Sequence, residues 1–398
     1  MKIPKKYKYI IELGKALHIY GIPSYKIQTY LTKISKTQGI HGTFMDLPTW
    51  INYVFYEEDD TSYNYIECIP PGVLNLGALS RIEEVANKVI LKEINNDEVE
   101  AELELINKEA KKVNHFTLTL SYAIGAGGFS LMIGTNWISL LFAVLLGAFV
   151  YFFVFLSTKS SYFETILESL ISFVVTVLAC LLLLVFPDFN VGITILSSII
   201  IFIPGLAITT ALEEITSKNL VSGGAKLFDA IISLFKQFFG VLLGIGIMSS
   251  VIDYKKLVHI SDLPQWIMFC GIPLFSISLL AIFQVRKKDM VLGVITGAAV
   301  FFLTVLFSGF GVLISTFIGT IAAVAISNLF SRITKSPKTV YLTQGIIMLV
   351  PGSKSFMGLS NSFLNSSLIT ADNLYQQVAF ILMGIIGGLL FAGVFRKR

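Results

Sequence analysis

From residue 114 onward the chain is a succession of apolar runs, and this feature limits its fold more than any other. A helix needs ~20 apolar residues to cross the hydrocarbon of a bilayer. Ten runs approach that length, and these candidate spans lie at about 116–133, 137–156, 166–186, 189–206, 230–252, 264–285, 289–307, 310–330, 340–357 and 374–395. Hydrophobic residues make up 54% of the chain and charged residues only 14%. The sequence therefore predicts an all-α polytopic integral membrane protein.

The lysines and arginines between the runs predict which side of the membrane each loop faces. If the N-terminus is cytoplasmic, the inner loops and the tail hold twelve Lys or Arg residues and the outer loops hold three. Positive residues concentrate on the cytoplasmic side of multi-pass proteins. We therefore expect an even number of spans and two cytoplasmic termini, most plausibly in a plasma or inner membrane.

Residues 1–113 are predicted to form a small cytoplasmic α+β domain, because their apolar spacing changes from helical to alternating and back. The predicted elements are helices at Tyr7–Tyr20 and Ser24–Gln38, strands at Thr43–Asp46, Thr49–Tyr56 and Ser62–Ile69, and helices at Gly77–Ile94 and Asn96–Lys112. The four histidines are isolated in the sequence. We expect this domain to regulate or stabilise the membrane part and not to bind the transported solute.

Two of the apolar runs are broken by a Pro-Gly pair. SIIIFIPGLAITT contains Pro204-Gly205, and QGIIMLVPGSKS contains Pro351-Gly352, 147 residues later. At the same offset Gly240 falls on Gly387. A proline removes a backbone donor from a helix, and hydrocarbon tolerates the break only where protein or water supplies partners. The pattern predicts that both breaks line a cavity, and that the membrane part is a duplication with modules at 114–253 and 254–398.

Five spans in each module is an odd number, so the two modules should enter the membrane in opposite senses. Inverted repeats, with discontinuous helices that meet near the midplane, are typical of secondary transporters. The expected fold is therefore about ten transmembrane helices arranged as two inverted five-helix repeats behind a small N-terminal α+β domain.

Several stretches resemble the threonine/serine exporter family. IPGLAITTALEEITSKNLVSGGAKLFDAIISLFKQFFGVLLG resembles the Pro-Gly-centred signature of that family, and QGIIMLVPGSKSFMG is similar to its C-terminal five-span module. The segment IPSYKIQTYLTKISKTQGIHGTFMDLPTWINYVF is similar to the family's N-terminal region, in the branch that includes the fungal pheromone-regulated membrane proteins. An Arg-x-Glu pair that bacterial members often place in the second helix is missing, since Tyr25–Gln28 reads YKIQ. The resemblance implies export of threonine or serine, driven by an ion gradient.

The substrate is predicted to bind between the two Pro-Gly breaks. A zwitterion such as threonine needs partners for both of its charges, because an unpaired charge in low dielectric is very costly. Free N–H groups at one half-helix end suit a carboxylate, and free carbonyls at the other suit an ammonium. The predicted binding residues are Pro204, Gly205, Thr209, Thr210, Pro351, Gly352, Ser353 and Ser355.

Ionisable residues near the breaks are candidates for coupling transport to a proton gradient, and they are Glu213, Glu214, Asp229, Lys236 and Asp372. Asp229 and Lys236 are seven residues apart and so share one helical face. Each candidate also has a structural interpretation. The two glutamates could be plain residues of an inner loop, Lys236 could snorkel to the interface, and Asp372 fits a helix cap better than a site.

Enzyme chemistry finds little support, because the sequence contains no HExxH or CxxC spacing. The chain is expected to be a carrier that needs no metal or other cofactor. The alternatives are a membrane-embedded signalling or scaffold protein and a membrane-anchored hydrolase that uses the N-terminal domain. The expected partners are a small amino acid and the lipid bilayer, with possible homo-oligomerisation and no nucleic acid.

The predicted topology can be tested with single cysteines in a variant that lacks the native cysteines, which are Cys68, Cys180 and Cys270. A cysteine at Lys255 should react with an impermeant maleimide in intact cells, because that loop is expected outside. A cysteine at Lys287 should react only after permeabilisation. The reverse pattern at either position would overturn the architecture.

Overall fold

The computed structural model describes residues 3–57, 61–188, 190–251, 263–349 and 374–394. Its N-terminal part begins with two helices, continues with a three-stranded sheet, and ends with two more helices. The bounds are α1 Lys5–Ile19, α2 Ser24–Thr37, β1 His41–Leu47, β2 Trp50–Tyr56, β3 Ser62–Cys68, α3 Leu76–Ile90 and α4 Asn96–Ala110. Each predicted element of this part is present, with its ends shifted by at most a few residues.

The sheet is antiparallel in the order β1-β2-β3, and its central strand carries the core. Ile51, Tyr53 and Phe55 alternate along β2 and are fully buried, as expected for a strand with one face on a core. The Tyr53 hydroxyl donates to the Ile11 carbonyl of α1 at 3.1 Å. The alternation of buried and less buried residues along β2 thus determines which face of the sheet the helices cover.

The membrane part consists of long apolar helices with one bent pair. Their bounds are α5 His115–Ile133, α6 Trp137–Ser157, α7 Ser161–Val185, α8 Val191–Ile199, α9 Gly205–Thr216, α10 Leu220–Met248, α11 Met268–Ile282, α12 Lys287–Leu306, α13 Val312–Thr334, α14 Lys338–Ile347 and α15 Leu374–Val394. Within the described ranges, seven helices are long and apolar enough to cross a membrane, or up to eight if the bent pair is one span.

The predicted ten spans are therefore not all present as full-length helices. The predicted span 264–285 corresponds to α11, which has only 15 residues. The predicted span 340–357 begins as α14, whose ten residues end at Ile347, and residues 350–373 lie outside the described ranges. The predicted span 189–206 is the first arm of the bent pair. Length is the physical reason for the lower count, since a 15-residue helix rises only about 22 Å.

The closest approach between the two halves is the crossing of α5 and α11. A Cβ added at Gly128 would lie 2.7 Å from the Phe275 nitrogen, and one added at Gly125 would lie 2.7 Å from Ser278 Oγ. A Cβ at Gly271 would lie 2.5 Å from the Gly128 carbonyl. Later residues of α5 thus meet earlier residues of α11, so the two helices run antiparallel. Small residues let their backbones touch.

The contacts between α7 and α10 recur between α13 and α15. A Cβ at Gly240 would lie 2.9 Å from Ser172 Cβ, and one at Gly384 would lie 2.9 Å from Thr316 Cβ. One turn later, a Cβ at Gly244 would approach Thr176 to 2.8 Å, and the equivalent contact joins Gly388 to Thr320 at 2.5 Å. Each residue named in the contacts of α13 and α15 lies 144 positions after the corresponding residue of α7 or α10.

This recurrence corrects the alignment of the two halves. The offset of 147 residues between the Pro-Gly pairs places Gly240 on Gly387, but the contacts of Gly240 recur at Gly384. Gly387 faces only the Phe317 ring, at an ordinary 3.4 Å. The second half is therefore three residues shorter between its Pro-Gly pair and its last helix.

The helix contacts predict a sharp difference between two glycines of α10. Gly240→Ala should lower the stability of the detergent-solubilised protein by roughly 1–3 kcal/mol, because its Cβ would lie 2.2 Å from the Ser169 carbonyl. Gly246→Ala is the matched control, since nothing lies within 4 Å of its added Cβ. Thermal unfolding followed by dye binding measures both. Equal melting temperatures for the two variants would contradict the close packing of α7 on α10.

Candidate functional site

The helix that carries Pro204 is broken inside the membrane part. Helix α8 ends at Ile199, a 3-10 turn covers Ile200–Phe202, and α9 begins at Gly205 after a bend of 48°. The Phe202 carbonyl accepts a hydrogen bond from Gln237 Nε2 of α10 at 2.7 Å. The break therefore frees a carbonyl, and a side chain from a neighbouring helix satisfies it, as hydrocarbon requires.

The break lies where the two halves of the membrane part meet. A cavity of about 100 Å³ adjoins Gly205 and Leu206. Its remaining walls are apolar and come from α5, the α8 break, α11 and α14, and they are Phe129, Ile200, Ile201, Ile203, Phe275, Leu279, Phe283 and Ile347. The cavity is therefore lined by helices from both halves of the membrane part.

Several polar groups of the membrane part are buried without a partner among the described residues. Ser197 and Gln344 each lie seven residues before the proline of a Pro-Gly pair, and both are fully buried. Ser197 Oγ and both amide atoms of Gln344 have no hydrogen-bond partner in the described part of the chain. The same holds for Ser130 Oγ, Ser172 Oγ, Thr194 Oγ1, Gln237 Oε1 and Ser276 Oγ. An orphaned polar atom in a protein interior marks a place where a ligand or water can bind.

The predicted binding residues are only partly described. Pro204 and Gly205 form the break itself. The Thr209 hydroxyl donates to the Gly205 carbonyl at 3.0 Å, and the Thr210 hydroxyl donates to the Leu206 and Ala207 carbonyls, both at 3.1 Å. Both hydroxyl groups therefore donate to backbone carbonyls of α9 itself. Pro351, Gly352, Ser353, Ser355 and Asp372 lie outside the described residues.

Glu213 and Glu214 contact the N-terminal part, and this was not predicted. Glu214 is fully buried and accepts hydrogen bonds from the Ser24 N–H at 2.8 Å and from Lys226 Nζ at 2.5 Å. Ser24 is the first residue of α2, so this carboxylate lies against the positive end of the helix dipole. Glu213 accepts from the Tyr25 hydroxyl at 2.6 Å. The two glutamates thus anchor α2 to α9.

The N-terminal end of α2 also contacts the second half of the membrane part. Lys26 Nζ lies 3.8 Å from Glu213 Oε1 and donates to Thr339 Oγ1 of α14 at 3.4 Å. Burial raises the pKa of the Glu83 carboxyl in α3, while Lys26 and Lys338 act to lower it. The first turn of α2 therefore connects both halves of the membrane part on one side.

A second contact joins α3 to the turn between α11 and α12. The Leu76 N–H donates to the Phe283 carbonyl at 2.9 Å, and Arg286 pairs with Glu84 at 2.7 Å. Arg286 also pairs with the buried Asp289 at 3.2 Å, and Asp289 accepts from the Tyr341 hydroxyl at 2.7 Å. The N-terminal part is therefore packed against the membrane helices through charged and polar contacts with both halves.

Asp229 and Lys236, predicted to share one helix face, have different surroundings. Asp229 is exposed and lines a cavity of about 460 Å³ between α10 and the N-terminal part. Lys236 Nζ instead pairs with Glu168 of α7 at 3.5 Å, and Glu168 accepts from the Ser233 hydroxyl at 2.6 Å. The ion pair gives Lys236 a partner within the membrane part, so it is not simply a snorkelling lysine.

Several polar residues of these sites were missed in the sequence. Glu168, Gln237 and Gln344 each interrupt an apolar run, and that interruption was the available signal. The histidines are isolated in the sequence, but the fold brings His18 Nδ1 to 2.7 Å from Asp46 Oδ1. No local signal marks that pair, since its members are 28 residues apart and meet only when β1 packs near α1.

Two family profiles cover most of the chain. Residues 8–248 match the profile described as "Putative threonine/serine exporter", and residues 268–395 match the one described as "Threonine/Serine exporter, ThrE". The chain belongs to the threonine/serine exporter family. This confirms the resemblance seen in the sequence and makes the chain a multi-pass membrane protein of a transporter family.

Relatives that match the chain include fungal proteins. Pheromone-regulated membrane protein 10 of Eremothecium gossypii is 26% identical over 384 residues, which cover 94% of this chain and 51% of that protein. The proteins of the same name from Kluyveromyces lactis and Saccharomyces cerevisiae are 26% and 24% identical, over 99% and 91% of this chain and 44% and 48% of their own length. The chain thus spans about half the length of these relatives. No solved structure matches it significantly.

The anchoring of α2 can be tested at Glu214. Glu214→Ala should destabilise the protein by about 3 kcal/mol, because it leaves the Ser24 N–H and the Lys226 ammonium without their partner. Glu93→Ala, at an exposed position, is the control and should change stability by no more than about 0.5 kcal/mol. Thermal unfolding in detergent, together with proteolysis between the two parts, measures the effect. A Glu214 variant as stable and as resistant as the control would refute the anchoring role.

Proposed function

We propose that this protein is a secondary transporter that exports small neutral amino acids, threonine or serine, through a site between its two Pro-Gly breaks. The observation that carries the proposal is the set of buried, unpartnered polar groups around the broken helix. Burying a hydroxyl or amide without a partner costs roughly 1–3 kcal/mol. Five hydroxyls, the Gln344 amide and the Gln237 carbonyl oxygen are in this state, which makes sense if a polar solute or water occupies the site during transport.

The chemistry of the site suits a hydroxylated zwitterion. The Gln344 amide offers both a donor and an acceptor, and the Ser197 hydroxyl does the same. The Gly205 N–H donates to the Ile203 carbonyl at 2.7 Å, but the positive end of the α9 dipole lies at this point and favours a carboxylate. The apolar walls of the adjoining cavity favour a small side chain. In this proposal Pro351, Gly352, Ser353 and Ser355 supply the second half of the site, as their counterparts Pro204 and Gly205 do in the first.

We infer that the membrane part is an inverted repeat of ten spans with both termini cytoplasmic. Two observations support the inference. The equivalent first helices of the halves, α5 and α11, cross antiparallel at Gly128 and Gly271, and the contacts of Gly240 and Gly244 recur 144 residues later. Antiparallel equivalents require that the halves have opposite orientations. Such a pair can expose one site to either side of the membrane by rocking.

The proposed coupling ion is the proton. Of the predicted carriers, Glu214 holds α2 and Lys226, so its protonation would break the anchoring of the N-terminal part. Asp229 is exposed on the wall of the large cavity and is the better carrier. The ion pair between Glu168 and Lys236 is a further candidate inside the membrane part.

A hydrolase in the N-terminal part is the weaker alternative. The buried pair of His18 and Asp46 resembles two members of a catalytic triad. The Ser24 hydroxyl, however, pairs with the Ser222 hydroxyl at 2.7 Å, and Ser24 is not among the residues that line the His18 cavity. A scaffold role fits poorly with the orphaned polar groups of the membrane part. Transport is therefore the function that we propose.

Transport assays in proteoliposomes test this function. Gly205→Leu, Gly352→Leu and Gln344→Leu should each reduce uptake of labelled serine and threonine at least tenfold. The two glycine variants fill the Pro-Gly breaks, and the third removes the Gln344 amide. A pH gradient should accelerate uptake by the unmodified protein. Gly246→Leu is the matched control, since its added side chain meets open space. Full activity in all three break variants would place the site elsewhere, and no uptake by the unmodified protein would refute the proposed substrates.

A further inference from the structure

A cavity lined by residues of both parts of the chain lies between the N-terminal part and helices α9 and α10. Its volume is about 460 Å³, within the usual range for small-molecule sites. The N-terminal part contributes His18, Gly21, Ile22, Pro23, Asp46, Pro48, Thr49, Pro71, Gly72 and Leu74, and the membrane part contributes Leu206, Ala207, Thr210, Ala225, Lys226 and Asp229. The two parts of the chain therefore build this cavity together.

One wall of the cavity holds a buried histidine with an unused ring nitrogen. The His18 side chain is 6% exposed, and its Nδ1 lies 2.7 Å from Oδ1 of Asp46, whose side chain is 2% exposed. A carboxylate only accepts, so the Nδ1 proton of His18 points at Asp46. The other ring nitrogen, Nε2, is buried and has no partner among the described residues. The wall thus holds a ring nitrogen that can form one more hydrogen bond.

The loop after β3 holds this wall in place. The Val73 N–H donates to the Ile19 carbonyl at 2.9 Å, next to His18. A Cβ at Gly72 would lie 2.1 Å from the His18 carbonyl, so only glycine allows the loop to close over the end of α1. This close backbone contact therefore fixes the position of His18 at the end of α1.

The opposite wall carries one charge of each sign. Asp229 offers a carboxylate, and Lys226 offers an ammonium with three donors, of which one serves Glu214. An ammonium group on a ligand would pair with Asp229, and a carboxylate on the same ligand would pair with Lys226. The unpaired ring nitrogen of His18 would form a hydrogen bond with one of these two groups. A ligand with only one of the groups would pair with only one of the two wall charges.

We propose that this cavity binds a small zwitterionic amino acid and is the loading site of the exporter on the side of the N-terminal part. The inference rests on the proposed function for the identity of the amino acid. Leu206 lines both this cavity and the smaller one at Gly205, so the loading site and the helix break are adjacent at this residue. The N-terminal part then takes part directly in solute binding, which revises the expectation that residues 1–113 do not.

Direct binding of labelled serine to the purified full-length protein in detergent tests the loading site. Asp229→Asn and His18→Gln should each raise the Kd at least tenfold, which corresponds to about 1.4 kcal/mol. Asp97→Asn, at an exposed position on α4, is the matched control and should leave the Kd unchanged. Asp229 is exposed, so its variant keeps the test valid if His18→Gln fails to fold. Unchanged affinity in Asp229→Asn would overturn the proposal.

Competition experiments test the charge requirement. Serine and threonine should compete with the label, whereas ethanolamine, which lacks the carboxylate, and lactate, which lacks the amine, should compete at least tenfold more weakly. Equal competition by either analogue would overturn the zwitterion assignment.

The Gly205→Leu variant separates this inference from the proposed function. It should lose transport but bind serine with unchanged affinity, because the cavity lies beyond the break. Loss of binding in Gly205→Leu would place the bound serine at the break and refute the loading site. The unmodified protein could instead bind serine in a way that depends on His18 and Asp229 but fail to transport it. That result would refute the proposed function alone.

Discussion

The rule that a backbone polar group in hydrocarbon must have a partner governs this structure. Pro204 breaks a membrane helix and exposes a carbonyl, and Gln237 on α10 supplies the missing donor. That bond fixes α10 against the break. Ser197 and Gln344 are exceptions, since both are buried without a partner among the described residues.

The N-terminal part depends on a related electrostatic requirement. The buried Glu214 carboxylate needs compensation, and the first turn of α2 and Lys226 provide it. Because Glu214 lies on α9, one turn or more after the break, the contact places the N-terminal part over the route that leads to Gly205. Lys26 extends the contact to α14 of the other half. Any rocking of the halves must therefore change contacts at the start of α2.

Much of this fold could be predicted because its signals are local. The alternation in β2 and the Asn75 and Asn95 caps of α3 and α4 identify elements of the N-terminal part, and long apolar runs identify the helices. The span count was less accurate, since α11 and α14 are short helices that hydropathy extends into neighbouring turns. The equivalence of Gly240 with Gly384 escaped detection because a three-residue difference shifts the register, and only packing against Ser172 and Thr316 reveals it.

The sequence by itself determined that this chain crosses a membrane, that it breaks helices at Pro204-Gly205, and that it belongs with the exporters. These properties follow from hydrophobicity and backbone chemistry, which act within a few residues. Only the tertiary structure decided that Glu214 anchors α2 and that His18, Asp46 and Asp229 line one cavity. Those residues are separated by up to about 200 positions. Their pairing depends on the packing of α9 and α10 against the N-terminal part, and no local pattern encodes it.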